Sequence, residues 1–248
     1  MAYLLTKDVE GYEVKNAQYL EKTIEYTKAA LKYPYWGMRP VSHRNSDLPG
    51  GHFLFSTSMV YFWLKDELKD ETCTHMMGTD GTKDSIVTQN NVPMLDAIEE
   101  RLWFVASEMY EHSKTWNTYV MNHLHVRMGG LMAATIALRE DATTKQEQEL
   151  LIKYTGMVLY KDGKGMNGLM PDGTSQEGVP YWEYAAEWLI KAGVMIRDNL
   201  DIDLFETTHV LENSGDYVLY NLLPQDTWKT GSSVLNVGEV FAMLALLL

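Results

Sequence analysis

The chain has 248 residues, of which 46% are hydrophobic and 22% are charged. These fractions predict a folded protein with a sizeable buried core and exclude a wholly disordered chain. The formal net charge of −13 argues against nucleic acid as a partner, because binding to phosphates requires a basic face.

The sequence gives few signals about the cellular compartment. Cys73 is the single cysteine, so the chain cannot form an intramolecular disulfide. No apolar run approaches the ~20 residues that span a bilayer, so no membrane span is predicted. Residues 1–15 lack a basic segment followed by an apolar one, and no signal peptide is expected.

Apolar residues at helical spacing predict a chain of helices with little strand. The expected helices cover residues 14–32, 53–68, 93–112, 117–140, 144–160, 179–197 and 203–221, with a final helix from residue 235. Pro, Gly and polar residues predict loops over residues 32–52, 73–92 and 161–178. Alternating helices and loops of this kind indicate paired antiparallel helices in one all-α domain over residues 1–248.

The helix expected over residues 117–140 has many small residues and few polar positions. A surface of small residues lets neighbouring helices approach closely, so this helix is predicted to be an inner one, covered on most sides. The small residues are Gly129, Gly130, Ala133, Ala134 and Ala137. Inner helices surrounded by outer ones would form an (α/α) toroid, here an incomplete barrel, and an irregular helical bundle is the alternative.

The same helix carries a polar cluster near its start. Asn122 and His125 fall on one face, and His123 and Arg127 fall on the adjacent face. The rings of His123 and His125 point ~200° apart at 100° per residue, which is poor spacing for a shared metal. Neither a metal nor a cofactor is therefore predicted.

Two segments of this acidic chain contain almost no acid. No Asp or Glu occurs from His112 to Arg139, and Asp47 is the only acid between Lys32 and Lys65. Acid-poor segments that carry His and Arg predict a local site for an anionic ligand.

The segment before the helix over residues 179–197 is a second candidate site. Residues 172–178 open with an Asp-Gly turn signal and end in Glu177-Gly178, where the free N–H groups of a helix start favour an anion. Tyr181 and Trp182 fall in the first turn of the helix. Packing is expected for the two aromatic residues that follow, Tyr184 and Trp188.

Three stretches in this order resemble the heparinase II/III-like polysaccharide lyases, a group that includes alginate lyases and dermatan-sulfate epimerases. The run DGTSQEGVPYWEYAAEWL resembles their DG-x(3)-EG-x-x-Y-x-x-Y segment. Upstream, WNTYVMNHLHVRMGGLMAATIAL resembles their Asn/His-bearing helix, and downstream YVLYNLLPQDTW resembles the segment that closes the toroid. The resemblance covers most of residues 50–240.

This resemblance implies an (α/α) toroid followed by a β-sandwich domain, in a periplasmic or secreted enzyme that cleaves uronic-acid polysaccharides by elimination. Tyr181 matches the catalytic tyrosine, and Asn122, His123 or His125 matches the residue that neutralises the uronate carboxylate. The choice among these three stays open. The chain stops where the β-sandwich would begin, and its apolar end, FAMLALLL, is expected to contact such a domain or a second copy of the chain.

The expected chemistry is β-elimination, in which a base removes the C5 proton of a uronate and the C4 oxygen leaves. A donor to the carboxylate stabilises the developing charge, and Tyr181 protonates the leaving oxygen. A second role of Tyr181 as the base stays open. The sequence assigns Glu177 to orienting this cluster or binding a sugar hydroxyl. The other expected contacts with substrate are Arg39, Asn117 and Arg127, and the aromatic rings of Trp36, Trp116 and Trp182.

Two further functions are consistent with the same residues. An (α/α) glycoside hydrolase would use a carboxylate pair such as Asp172 and Glu177. A glycan-binding or scaffold fragment of a lyase would retain the fold without activity.

Overall fold

The computed structural model describes residues 1–37, 46–78, 86–115, 122–168, 173–175, 177–208 and 212–221. These residues are mainly helical, which confirms the all-α prediction at that level. In chain order the elements are α1 (Ala2–Thr6), α2 (Glu13–Leu31), α3 (Leu48–Trp63), α4 (Lys65–Leu68), β1 (Thr72–Gly78), β2 (Ile86–Pro93), α5 (Met94–Thr115), α6 (Asn122–Ala137), α7 (Lys145–Gly168), α8 (Val179–Leu200), α9 (Leu204–Thr208) and α10 (Ser214–Tyr220). Within these ranges, no helix is both long and apolar enough to cross a membrane.

Helix α3 begins before the residue that the sequence predicts. Asp47 is its N-cap, and the Asp47 carboxylate accepts a hydrogen bond of 3.3 Å from the backbone N–H of Gly50. This cap and a proline in the first turn start the helix at Leu48, although two glycines follow. The single helix predicted over residues 53–68 is two helices in the structure, α3 and the short α4.

Helix α7 begins with the reciprocal pair of hydrogen bonds called a capping box. The backbone N–H of Glu147 donates to Thr144 Oγ1 at 3.2 Å, and the backbone N–H of Thr144 donates to Glu147 Oε2 at 2.8 Å. The helix continues to Gly168, so the loop predicted from residue 161 is wrong over its first eight residues. Each glycine weakens a helix by about 1 kcal/mol, which a helix already formed over several turns tolerates.

Strands β1 and β2 pair antiparallel where the sequence predicts a polar loop over residues 73–92. The pairing register shifts between Cys73 and His75, and both of these β1 residues are buried. The strands escape prediction because β2 is largely exposed and carries polar residues on both faces. Cys73 is a free, buried thiol.

The helix predicted over residues 203–221 corresponds to α9 and α10, and residues 209–211 lie outside the described residues. The final helix predicted from residue 235 also lies outside them.

Helix α6 is the centre of the fold. Every residue from Leu124 to Ala137 is buried, and the helix packs against α3, α5, α7 and α8. The prediction of an inner helix is therefore confirmed. Its glycines allow the contacts, because a Cβ at Gly130 would lie 2.6 Å from the carbonyl oxygen of Gly51 in α3.

Helices α3 and α6 run in the same direction. Near their starts, a Cβ at Gly51 would lie 2.9 Å from Val126 Cγ1. Just beyond their ends, Lys65 forms an ion pair with Asp141 at 2.7 Å.

Helix α8 also runs parallel to α6. Glu177, just before α8, bonds to Asn122 at the start of α6, and Leu200 at the end of α8 lines a cleft with Ile136 near the end of α6. The N-terminal ends of α3, α6 and α8 therefore lie together at one end of the domain. We call this end the N-terminal rim.

Candidate functional site

Glu177 and Asn122 join the two segments that the sequence singles out. The backbone N–H of Asn122 donates to Glu177 Oε2 at 2.7 Å, and Asn122 Nδ2 lies 3.2 Å from each carboxylate oxygen. A carboxylate at the start of a helix satisfies a free N–H group and complements the positive end of the helix dipole. Glu177 is thus hydrogen-bonded to Asn122 through both the backbone and the side chain of Asn122.

This contact fixes what Asn122 offers to a ligand. A carboxylate only accepts hydrogen bonds, so the NH2 group of Asn122 must face Glu177. Asn122 is 2% exposed, and its buried Oδ1 has no hydrogen-bond partner among the described residues. Buried polar atoms are usually hydrogen-bonded, and this burial does not support direct contact between Oδ1 and a polysaccharide.

His123 is the half-buried histidine of the cluster and the only residue of Asn122–Ala137 that is not buried. Burial lowers the pKa of His123, while the Glu177 carboxylate raises it, Arg127 lowers it and Asp47 raises it. These four groups therefore lie within electrostatic reach of one another. His123 is mainly neutral at neutral pH, and a neutral imidazole carries one ring N–H.

Arg127 is fully buried behind the rim. Its Nη2 donates to Ser113 Oγ at 2.8 Å and to His112 Nδ1 at 3.1 Å, at the end of α5. Burial lowers its pKa to about 10, and Asp47 opposes this shift, so the guanidinium stays charged at neutral pH. This burial does not support the predicted direct contact between Arg127 and a polysaccharide.

The Arg127 contact also fixes the tautomer of His112. A guanidinium only donates, so His112 Nδ1 must carry a lone pair and the ring is neutral. Ser46 Oγ lies 2.8 Å from the same nitrogen. Ser46 and His112 therefore connect the segment before α3 to the end of α5 directly beside Arg127.

His125 is fully buried on α6. Three residues match the one that neutralises the uronate carboxylate in the lyases that the sequence resembles. Of these, His125 is buried, and the side-chain nitrogen of Asn122 donates to Glu177. His123 is left as the best-exposed donor.

Tyr181 and Trp182 lie in the first turn of α8, as predicted. Gly178 is the N-cap at φ 85°, a backbone conformation that favours glycine. Tyr181 is half-buried, and the Trp182 ring packs edge-on against Tyr217 of α10 at 6.2 Å between centroids. The buried Nε1 of Trp182 has no acceptor in the described part of the chain.

Trp36 does not belong to the site. It is 1% exposed, its ring stacks on Phe53 at 5.6 Å, and the Arg101 guanidinium lies 5.1 Å from its centroid. Its Nε1 donates to Ala30 O at 3.0 Å. The sugar-stacking role expected for Trp36 is therefore corrected to core packing.

Four residues named by the sequence fall outside the described residues. They are Arg39, Trp116, Asn117 and Asp172.

The sequence misses one polar pair at the rim. His52 of α3 and Tyr184 of α8 are hydrogen-bonded between His52 Nε2 and the Tyr184 hydroxyl. The residues are 132 positions apart, and the sequence assigns Tyr184 to packing. No local pattern could have paired them, because the contact depends on α3 and α8 both packing on α6.

Neither protein-family models, nor curated proteins, nor solved structures gave a match to this chain. In the described ranges, no group of three His, Cys, Asp or Glu side chains is arranged to hold a metal ion.

Proposed function

We propose that this protein is a polysaccharide lyase that cleaves a uronic-acid polysaccharide by β-elimination at the N-terminal rim. The observation that carries the proposal is the Asn122–Glu177 contact, which joins two segments that are 55 residues apart in the chain. Both segments carry the resemblance to polysaccharide lyases, so their contact supports one shared site.

The proposed architecture is an (α/α) toroid. The parallel helices α3, α6 and α8 would be neighbouring inner helices, and α2, α5 and α7 would be the outer ones. In support, α6 is buried along nearly its whole length, whereas α2 and α7 keep one exposed side. The contact between Arg127 and Ser113 fits an α5 that runs antiparallel to α6.

In this proposal, His123 donates to the uronate carboxylate. Donation stabilises the negative charge that develops as the C5 proton is removed. The buried Arg127 cation and the three helix N-termini add a favourable field.

Tyr181 is the proposed general acid. A solvent water takes the C5 proton, the electron pair of the C5–H bond forms the C4–C5 double bond, and the C4–O bond breaks. The Tyr181 hydroxyl gives its proton to the leaving oxygen and recovers one from solvent. General acid–base catalysis of this kind contributes about 10²–10⁴-fold to the rate.

A glycoside hydrolase is less well supported. Its general acid must donate a proton to the leaving oxygen, and both carboxylate oxygens of Glu177 already accept hydrogen bonds from Asn122.

The test is an ultraviolet assay for unsaturated products on alginate, heparan sulfate, chondroitin and hyaluronan. We expect one of these to be cleaved, and Tyr181→Phe to reduce kcat by about 100-fold or more. Tyr220→Phe is the matched control, because Tyr220 is 88% exposed on α10 and its substitution should leave kcat unchanged.

Three results would contradict the proposal. Full activity in Tyr181→Phe would remove the proposed acid. New reducing ends without ultraviolet absorbance would indicate a hydrolase, and binding without any product would indicate a scaffold.

A further inference from the structure

The pair formed by His52 and Tyr184 is the most developed polar contact at the rim that the proposed chemistry does not use. Besides their hydrogen bond, the two rings stack at 5.9 Å with an interplanar angle of 19°. Trp188 lies edge-on to His52 at 4.8 Å, and this contact holds the imidazole from the α8 side.

Both members of the pair are held neutral. Burial lowers the pKa of His52, Lys191 lowers it further, and Glu187 opposes the shift. Burial raises the pKa of Tyr184, and Glu187 adds to this increase. Transfer of the Tyr184 proton to His52 is therefore unfavourable, so the pair is suited to binding rather than to proton transfer.

A neutral pair of this kind presents one donor and one acceptor. The bond runs from the Tyr184 hydroxyl to His52 Nε2, or from His52 Nε2–H to the Tyr184 oxygen, according to the imidazole tautomer. In the first case His52 Nδ1–H can donate to a ligand and the Tyr184 oxygen can accept from one. In the second case the Tyr184 hydroxyl donates and His52 Nδ1 accepts. Adjacent hydroxyls on a sugar ring need this combination.

The pair is placed next to the proposed reaction site. His52 lies in the second turn of α3 and Tyr184 in the second turn of α8. Trp188, which touches His52, also packs on α6, where a Cβ at Gly129 would lie 2.6 Å from its ring. His52 is exposed and lines a cleft of about 360 Å³ between α2 and α3 that has room for part of a sugar.

The charged groups around His52 belong to α8. Lys191 and Glu187 face it and form an ion pair with each other at 2.5 Å. On the α6 side, the residues that approach its neighbour Gly51 are Val126 and Gly130, which carry no charge. Tyr26 of α2 lines the same cleft. An environment in which the charges are paired favours hydroxyl groups over a carboxylate.

We propose that His52 and Tyr184 form a sugar-binding subsite that recognises a pair of adjacent hydroxyls on a residue of the polysaccharide next to the uronate being cleaved. This inference rests on the proposed lyase function for its placement along the substrate.

The test compares His52→Gln and Tyr184→Phe with wild type on tetrasaccharides prepared from the four polysaccharides of the ultraviolet assay. Dissociation constants come from calorimetry, and KM and kcat come from the assay. We expect KM and Kd to rise about fivefold to tenfold, the effect of losing one hydrogen bond, with kcat changed by less than about twofold. Tyr220→Phe, with an exposed hydroxyl on α10, should match wild type.

Thermal unfolding separates misfolding from a binding defect. Should Tyr184→Phe unfold early, His52→Gln carries the test, because the His52 side chain is exposed.

The outcomes separate the two proposals. Cleavage by wild type with unchanged Kd and KM in both variants would overturn the subsite and leave the lyase standing. A collapse of kcat at constant Kd would also overturn it, because the pair would then be catalytic. Binding without cleavage, weakened in both variants, would support the subsite and contradict the lyase, whereas no binding of any tetrasaccharide would contradict both.

Discussion

At the scale of single residues, Asn122 shows how a neighbouring group changes the chemistry of a side chain. As an isolated amide it could donate to a uronate carboxylate, but its backbone nitrogen and its side-chain nitrogen both donate to Glu177. Its remaining polar atom, the acceptor Oδ1, is buried. In the proposed mechanism His123, whose side chain is half-buried, donates to the substrate carboxylate instead.

Glu177→Gln tests the anchoring of Asn122. The substitution removes the charge that strengthens these hydrogen bonds, so we expect the free energy of unfolding to fall by about 1–2 kcal/mol in urea denaturation. Glu183→Gln removes the same charge from a position further along α8 and should change stability by less than about 0.5 kcal/mol. Equal losses in the two variants would show that Glu177 acts only through its charge on the helix.

The buried His75 makes the stability of the folded protein depend on pH. It is 1% exposed, accepts from Arg101 Nε at 3.4 Å, and lies 3.3 Å from Glu100. Burial, with a smaller contribution from Arg101, lowers the His75 pKa from 6.5 to about 4. In this window the unfolded chain binds a proton that the folded protein does not, so stability falls as the pH decreases from about 6.5 to 4.

The His75→Gln variant isolates this effect, because glutamine keeps one acceptor and one donor but does not titrate. A pKa shift of this size corresponds to about 3 kcal/mol. Between pH 6.5 and 4, the free energy of unfolding should therefore fall by about 3 kcal/mol less in the variant than in the wild type. Parallel curves for wild type and variant would contradict the assignment.

At the scale of elements, the fold depends on close contact between parallel helices. Gly51 and Gly130 let α3 and α6 meet backbone to backbone, and Gly129 receives the Trp188 ring of α8. These contacts bring the three helix starts to one rim, so helix spacing and site geometry are linked.

Gly130→Ala tests this packing. The added Cβ would lie 2.6 Å from the carbonyl oxygen of Gly51, which as backbone cannot rotate away, so we expect a loss of about 1–3 kcal/mol in thermal or urea unfolding. Gly156→Ala is the matched control on α7, where a Cβ meets nothing within 4 Å. That substitution should stabilise the helix by about 0.5–1 kcal/mol, and a loss at both positions would contradict the packing argument.

The sequence predicts elements well where a single local pattern decides them. The start of α7 follows from Thr144 and Glu147, and the burial of α6 follows from its small residues. Prediction from the sequence fails where contacts with distant residues decide the structure. An example is the β1–β2 hairpin, whose polar second strand shows no alternation of apolar and polar residues. The contact between His52 and Tyr184 could not be predicted for the same reason, since it requires the relative placement of α3 and α8.

At the scale of the whole molecule, an acidic protein is proposed to bind an acidic polymer. The net charge of −13 opposes approach of a polyanion, and counter-ions screen charges further apart than about 10 Å at 0.1 M salt. Recognition must therefore come from short-range contacts. The acids nearest the proposed site, Asp47 and Glu177, both bond to backbone N–H groups at helix starts, which offsets part of their charge.

The central claim is that the bond is broken by elimination and not by water. The most direct measurement is mass spectrometry of oligosaccharide products formed in water enriched in heavy oxygen. If the bond is broken by elimination, no oxygen from the solvent enters at the cleaved bond, one product carries a C4–C5 double bond, and the product masses sum to the mass of the substrate. Incorporation of one solvent oxygen for each bond cleaved would contradict it.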